Sequence, residues 1–187
     1  MKRITCFLTV LFIIQLIFAV AGNCEDNLYY ARCNLKAKGN YMTWVNWQAS
    51  PTFIPVGTKF KVTKAGSKAS LVNVETSTTY TLDVGADGDA LLEKFVTKKP
   101  VDITKFSSDV QANIKNAVAK IGMTKEQVYI AMGPPAWVNG NTNTMTYESI
   151  MGSDLWVYKR SRFGKNIGVA FDPTTGKVNR TEGIWGK

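Results

Sequence analysis

The side chains able to do chemistry in this chain are few, and one kind is missing: its 187 residues include no histidine. Without imidazole the usual proton shuttle and the commonest zinc ligand are gone. Serine and cysteine triads, zincin helices and most metal sites are therefore excluded in their ordinary forms. A carboxylate pair can hydrolyse a glycoside without histidine, and Glu148 with Asp154 or Asp172 would be the candidates. Their spacing along the chain fixes no distance between them. Asp83, Asp87 and Asp89 in LDVGADGDALLE alternate with glycines as calcium ligands do. The run to Glu93 does not reproduce an EF-hand loop, and a solvated turn is the simpler reading. The expectation is a protein with no catalytic residue, no metal site and no cofactor, hence not an enzyme.

The thiols point to a compartment. The N-terminal stretch MKRITCFLTVLFIIQLIFAVAGNCEDN has a basic start (Lys2, Arg3), an apolar run from Ile4 to Val20, and small residues at Ala19-Val20-Ala21. This is the anatomy of a secretory signal over residues 1–21, cleaved after Ala21; an uncleaved membrane anchor is the alternative that the length of the run permits. Cys6 falls within the signal and leaves Cys24 and Cys33 as an even pair. A disulfide between them would close a small loop, and an exporting compartment allows it. Lipidation of Cys24 competes with the bridge. It is disfavoured by Asn23, where a small residue is wanted, and it would leave Cys33 as an odd thiol.

Loss of Lys2 and Arg3 takes the formal net charge from +9 to +7. An exported chain of this sign suits anionic lipid headgroups, envelope polymers or acidic proteins, and export argues against nucleic acid. The lysines are dispersed, so solubility alone is an equally good reading of the charge.

The elements that must position these residues fall into two halves, and the expected class is α+β. Residues 22–100 read as a β-rich domain, a small barrel or meander of SH3-like size. Its strands are expected at Leu28–Ala31, Thr43–Trp47, Lys59–Thr63, Ser70–Glu75 and Thr79–Val84, with a weak helix over Asp87–Phe95 and a break at Lys98-Lys99-Pro100. Trp44 and Trp47 would face opposite ways on a regular strand, one in the core and one free to stack on a sugar or peptide.

Residues 101–187 read as two helices followed by an antiparallel sheet. The first helix is expected from the Ser107-Ser108 cap, through Val110, Ile114, Ala117, Val118 and Ile121, to Gly122. The second opens on the capping box Thr124-Lys125-Glu126-Gln127 and stops at Gly133-Pro134-Pro135. Strands are then expected at Thr144–Ser149, Leu155–Lys159, Asn166–Phe171 and Lys177–Arg180, the last two joined by the turn Asp172-Pro173-Thr174-Thr175-Gly176.

GMTKEQV followed by GPP, then Leu155-Trp156-Val157-Tyr158, Val169-Ala170-Phe171-Asp172 and Gly176-Lys177-Val178, resembles the SmpA/OmlA (BamE) family of bacterial envelope proteins over about residues 113–180. That family shares its two-helix-plus-sheet fold with the β-lactamase inhibitory protein. Two features depart from its pattern: a longer Ala136–Asp154 segment and the β-rich half in front. The resemblance implies a non-enzymatic protein of the periplasm or outer membrane of a Gram-negative-type cell, often lipid-anchored. It would be a scaffold or assembly factor working through protein or lipid contacts, as in outer-membrane β-barrel assembly. The alternative is a secreted inhibitory module that covers a partner enzyme with its open sheet face.

The expected contact surface is the aromatic and basic cluster Trp156, Tyr158, Lys159, Arg160, Arg162, Phe163 and Lys165, because aromatics and arginine anchor interfaces. Strand alternation offers a competing placement, with Trp156 and Tyr158 packed under the helices and only Lys159, Arg160 and Arg162 outside.

Overall fold

The computed structural model of the chain describes residues 27–85, 88–140 and 146–183. The expected signal segment, Cys24 and Asp87 lie outside the described residues.

Strict alternation builds the first sheet. In β5 (Lys59–Ala65), Phe60 and Val62 point into the core while Lys59, Lys61 and Thr63 face water. It pairs on one side with β6 (Lys68–Asn73) and on the other with β1 (Leu28–Ala31). With β7 (Thr79–Asp83), β3 (Tyr41–Met42) and β8 (Val96–Thr97) the sheet runs in the order β3-β7-β6-β5-β1-β8. All its pairings are antiparallel except β3 with β7, which is parallel and so departs from a plain meander. Beside it, β2 (Leu35–Ala37) and β4 (Thr52–Ile54) form a two-stranded ribbon.

No strand forms over Thr43–Trp47. Thr43 Oγ1 instead accepts from the Val45 N–H (3.3 Å) and the Trp47 indole (3.0 Å), so the chain turns. The weak helix is present as α1 (Gly88–Leu92).

In the second half, α2 (Ser108–Lys115) starts at the expected Ser107 but stops well before Gly122. Ala117 takes a positive φ of 54°, and the Asn34 amide donates to the Ile114 carbonyl at 2.6 Å, satisfying one of the acceptors that a helix end exposes. The following residues pair with the sheet rather than extend the helix: the Gly122 N–H donates to Val178 O and the Val178 N–H to Met123 O. The next helix, α3 (Lys125–Met132), carries the full capping box, with the Gln127 N–H donating to Thr124 Oγ1 (3.3 Å) and the Thr124 N–H to Gln127 Oε1 (2.9 Å). Where a strand is expected over Thr144–Ser149, the described part is the cap and first turn of α4 (Tyr147–Met151). Thr146 Oγ1 accepts from the Ser149 N–H at 3.1 Å, and the local cap chemistry outweighs the β-propensity of the neighbouring threonines.

The second sheet, in the order β12-β11-β10-β9, contains β9 (Trp137–Val138), β10 (Leu155–Lys159), β11 (Asn166–Phe171) and β12 (Val178–Glu182), all antiparallel. One of its faces lies under the helices. Tyr129 of α3 meets Trp156 edge-on at 6.1 Å, and Trp156 meets Phe171 at 4.6 Å. The Trp156 indole donates to Ile150 O and Ser153 O, each at 3.0 Å, so its one polar atom is satisfied in the interior.

Buried residues of both halves belong to one core, from Phe60 and Leu71 through Phe95 and Tyr129 to Trp156 and Val169. Three polar links fix the halves at their seam. The Asn34 amide donates to Ile114 O and Ala131 O, the Asn46 amide donates to Met132 O (2.7 Å), and the Tyr129 hydroxyl donates to Lys94 O (2.9 Å). All three end on backbone carbonyls, so each link satisfies buried polar groups on both sides of the seam. The fold is mixed α+β, with a six-stranded sheet, four helices among the described residues and a C-terminal antiparallel sheet.

Candidate binding groove

The loop that follows β3 decides where a partner could enter. Asn46 is buried, and its side chain is fully engaged: Oδ1 accepts from the Lys36 N–H (2.9 Å), and Nδ2 donates to Asn34 O and Met132 O. The same loop continues the edge of the second sheet, with the Gln48 N–H donating to Lys159 O (3.0 Å) and the Ala49 N–H to Arg160 O (2.9 Å). Pinned in this way, the loop forms the floor of a recess of about 440 Å3 between the two halves.

One wall carries Lys36 on β2, then Lys38 and Tyr41; the floor has Trp47 and Ala49 to Pro51; the far wall is Arg160, Ser161 and Arg162, just past β10. A second recess of about 270 Å3 shares Lys36, Ala49 and Arg160 and extends the groove to Ala117, Met132 and Ile167. Among the described residues no carboxylate lines either one. The four cations of the first recess take part in no ion pair among the described residues. Lys36 Nζ lies 4.5 Å over the Phe53 ring, and its partial burial lowers its pKa. Arg160 is oriented by donating to Gly183 O at 2.6 Å. Lys159 Nζ sits 5.9 Å from the Trp47 ring and 5.4 Å from that of Trp137, which steadies the rim.

The expected contact surface divides along the alternation of β10. Trp156 and Tyr158 are 0% and 1% exposed and leave the contact set: they face the helices, where their area is worth more in the core. Lys159 and Arg160 are half-buried, Arg162 and Lys165 exposed, and Phe163 is 93% exposed at the hairpin tip. Of the tryptophan pair, Trp44 is 41% exposed and Trp47 lines the groove. Cys33 is fully buried, its thiol directed to Lys94 O at 3.9 Å, and burial pushes its pKa far up.

The carboxylates are otherwise engaged. Asp154 pairs with Lys125 at 2.7 Å, and Asp89 pairs with Lys64. Asp172 accepts from the N–H groups of Thr174 (3.0 Å) and Thr175 (2.8 Å), which hold its carboxyl below the usual range. Glu148 is exposed in the first turn of α4. Asp83 accepts from the Gly85 N–H at 3.2 Å, and no set of metal-ligating side chains converges among the described residues.

Lys36, Lys38 and Tyr41 are groove residues that sequence reasoning missed. The signal for the two lysines was the alternation Leu35-Lys36-Ala37-Lys38, apolar residues inside and cations outside, which runs through a strand only three residues long and one residue past it. No protein family, curated protein or solved structure matches this chain.

Proposed function

We propose that the chain is a non-enzymatic, exported protein of the envelope of a Gram-negative-type bacterium, a scaffold or assembly factor that works by contact at the outer membrane. In this reading, residues 113–180 are an SmpA/OmlA (BamE)-like domain, and the β-rich half is a small barrel or meander of SH3-like size that adds a second wall to its contact face. The observation that carries it is the basic, aromatic-lined groove at the seam, with the exposed Phe163 hairpin beside it. Fixed cations without carboxylates suit recognition better than acid–base chemistry, and exposed aromatics next to arginines are what interfaces use as anchors. The test is envelope fractionation with mass spectrometry of the mature N-terminus, followed by crosslinking from a photoreactive residue at position 163. The expected result is a processed chain in the envelope, crosslinked to an outer-membrane component. An unprocessed chain recovered from the cytosol refutes the proposal.

A second reading, the secreted inhibitory module, is favoured by the outer face of the second sheet. Leu155, Val157, Gly168 and Ala170 form a shallow apolar hollow of about 230 Å3, rimmed by Arg180 and Glu182. Crosslinks from position 155 to a soluble enzyme, with none from position 163, would select it.

A further inference from the structure

We infer that the seam groove is a docking site for an acidic, extended peptide segment of a partner protein that carries at least one apolar side chain. The inference rests on the reading of the chain as a binding protein and names the chemistry of what it binds.

Charge complementarity is the first argument. Lys36 and Lys38 from one wall and Arg160 and Arg162 from the other face a common recess, and none has an acidic neighbour within ion-pair distance among the described residues. Like charges gathered on opposing walls repel one another, and a ligand with negative charge spread along its length relieves both walls at once. Lys36 and Arg160 are half-buried, so much of the desolvation that normally weakens a surface ion pair is already met in the free protein. Arg160 is also held in place by the Gly183 carbonyl, which limits the side-chain entropy lost on binding.

The floor supplies the second argument. Trp47 presents ring surface between the cations, Tyr41 adds its ring from the Lys38 wall while its hydroxyl donates to Asp83 (3.4 Å), and Pro51 and Ala49 complete an apolar base. A simple inorganic anion would leave this surface uncovered. A peptide with carboxylates flanking an aromatic or aliphatic side chain covers it, and 440 Å3 accommodates about three residues. The ligand meets the groove through side chains rather than by adding a strand, because the backbone of Lys159 and Arg160 is already paired with Gln48 and Ala49.

Shape separates a peptide from a membrane. A flat bilayer would meet the rim, chiefly Arg162, Phe163 and Lys165, and leave the recessed Lys36 and Arg160 facing an unfilled groove. An extended chain entering between the walls reaches all four cations.

The experiment is a fluorescence anisotropy titration of the purified chain with labelled six-residue peptides. One alternates glutamate with leucine or phenylalanine, one substitutes glutamine for glutamate, and one is acidic but has glycine at the apolar positions. Vesicles of phosphatidylglycerol and inorganic phosphate are the other arms. Saturable binding of the first peptide is expected, weakened by salt and lost or reduced about tenfold with either altered peptide. Lys38→Glu with Arg162→Glu, both at exposed positions, should reduce it about tenfold or more, while Lys59→Glu with Lys61→Glu on the far sheet should leave it unchanged. Thermal unfolding of each variant checks that the fold is kept. Binding insensitive to the groove variants, no peptide binding, or binding of vesicles or phosphate alone would overturn the inference. Export is read by the N-terminal mass and docking by the titration, so either proposal can fail without the other.

Discussion

Lys94 is 1% exposed, yet it forms no ion pair among the described residues. Its backbone sits at the seam, the carbonyl accepting from the Tyr129 hydroxyl at 2.9 Å. Burial lowers its pKa from 10.5 to about 8. Between those values the unfolded chain holds a proton that the folded chain does not, so stability rises with pH. The cost of the buried ammonium is fully present below the folded pKa and disappears above the unfolded one. The whole shift corresponds to about 3 kcal/mol, of which about 1.4 kcal/mol falls between pH 7 and pH 9.

Other groups pull the opposite way at higher pH. Burial raises the pKa of the Cys33 thiol above its ordinary 9.0, and those of Tyr129 and Tyr158 well above 10.0. Each keeps its proton in the fold and releases it on unfolding, so the stability they provide is intact below those ordinary values and is lost above them. Between pH 7 and pH 9 chiefly the Cys33 thiol intrudes: at pH 9 it is half ionised in the unfolded chain, which removes about 0.4 kcal/mol at the upper end. Urea unfolding of the native chain should therefore show a net gain of about 1 kcal/mol across this range. Lys94→Met should instead lose about 0.4 kcal/mol over it and be more stable at pH 7 by up to about 3 kcal/mol. A native profile that does not rise, or a rise that survives in Lys94→Met, would refute the argument that the buried amine causes it.

Three further substitutions test the seam and the core. Tyr158 has a buried hydroxyl without a hydrogen-bond partner among the described residues, so Tyr158→Phe should raise stability by about 1 kcal/mol in chemical unfolding, where most core tyrosines would lose it. Gly133 has a φ of 77° and closes against the Asn46 amide; Gly133→Ala should cost roughly 3 kcal/mol or more and loosen the groove floor, read as faster hydrogen exchange at Gln48 and Ala49. Thr124→Ala removes half of a capping box on an eight-residue helix and should cost about 1 kcal/mol in unfolding free energy.

What the sequence made legible follows the range over which each signal acts. The strands at Lys59, Leu155 and Asn166, the capping box at Thr124 and the Asp172 turn are dictated by residues within a few positions of each other, and all stand where local patterning puts them. The miss at Thr144–Ser149 is local, a threonine cap winning over strand propensity, but the others arise where a distant group takes over. At the end of α2, Asn34 captures the Ile114 carbonyl from 80 positions away and Ala117 turns left-handed, so the apolar spacing to Ile121 describes a helix that the fold does not use; Ile121 is left 71% exposed. The strand expected at Thr43–Trp47 gives way for a related reason. Asn46, between two tryptophans, is required as a bridge to Lys36, Asn34 and Met132, and a regular strand could not present it to all three.

The groove itself belongs to this second kind. Lys36 and Arg160 are 124 positions apart, and no periodicity relates them; they meet because Gln48 and Ala49 extend the edge of β10 while Asn46 ties the same loop to β2. The Gly133-Pro134 step is the point where both kinds of signal coincide. Locally the glycine ends α3, as a C-cap should, and the proline forbids its continuation. In three dimensions the missing Cβ is what lets the Asn46 amide reach Met132 O, so the residue that punctuates the helix also sets the floor of the groove. Gly133→Ala therefore separates the two roles. If only helix capping mattered, the cost would fall on α3 and acidic-peptide binding would be unchanged once the protein was folded. If the Asn46 bridge sets the groove, affinity should fall along with stability, and restoring space at position 46 by Asn46→Ser should recover part of the fold without recovering the peptide site.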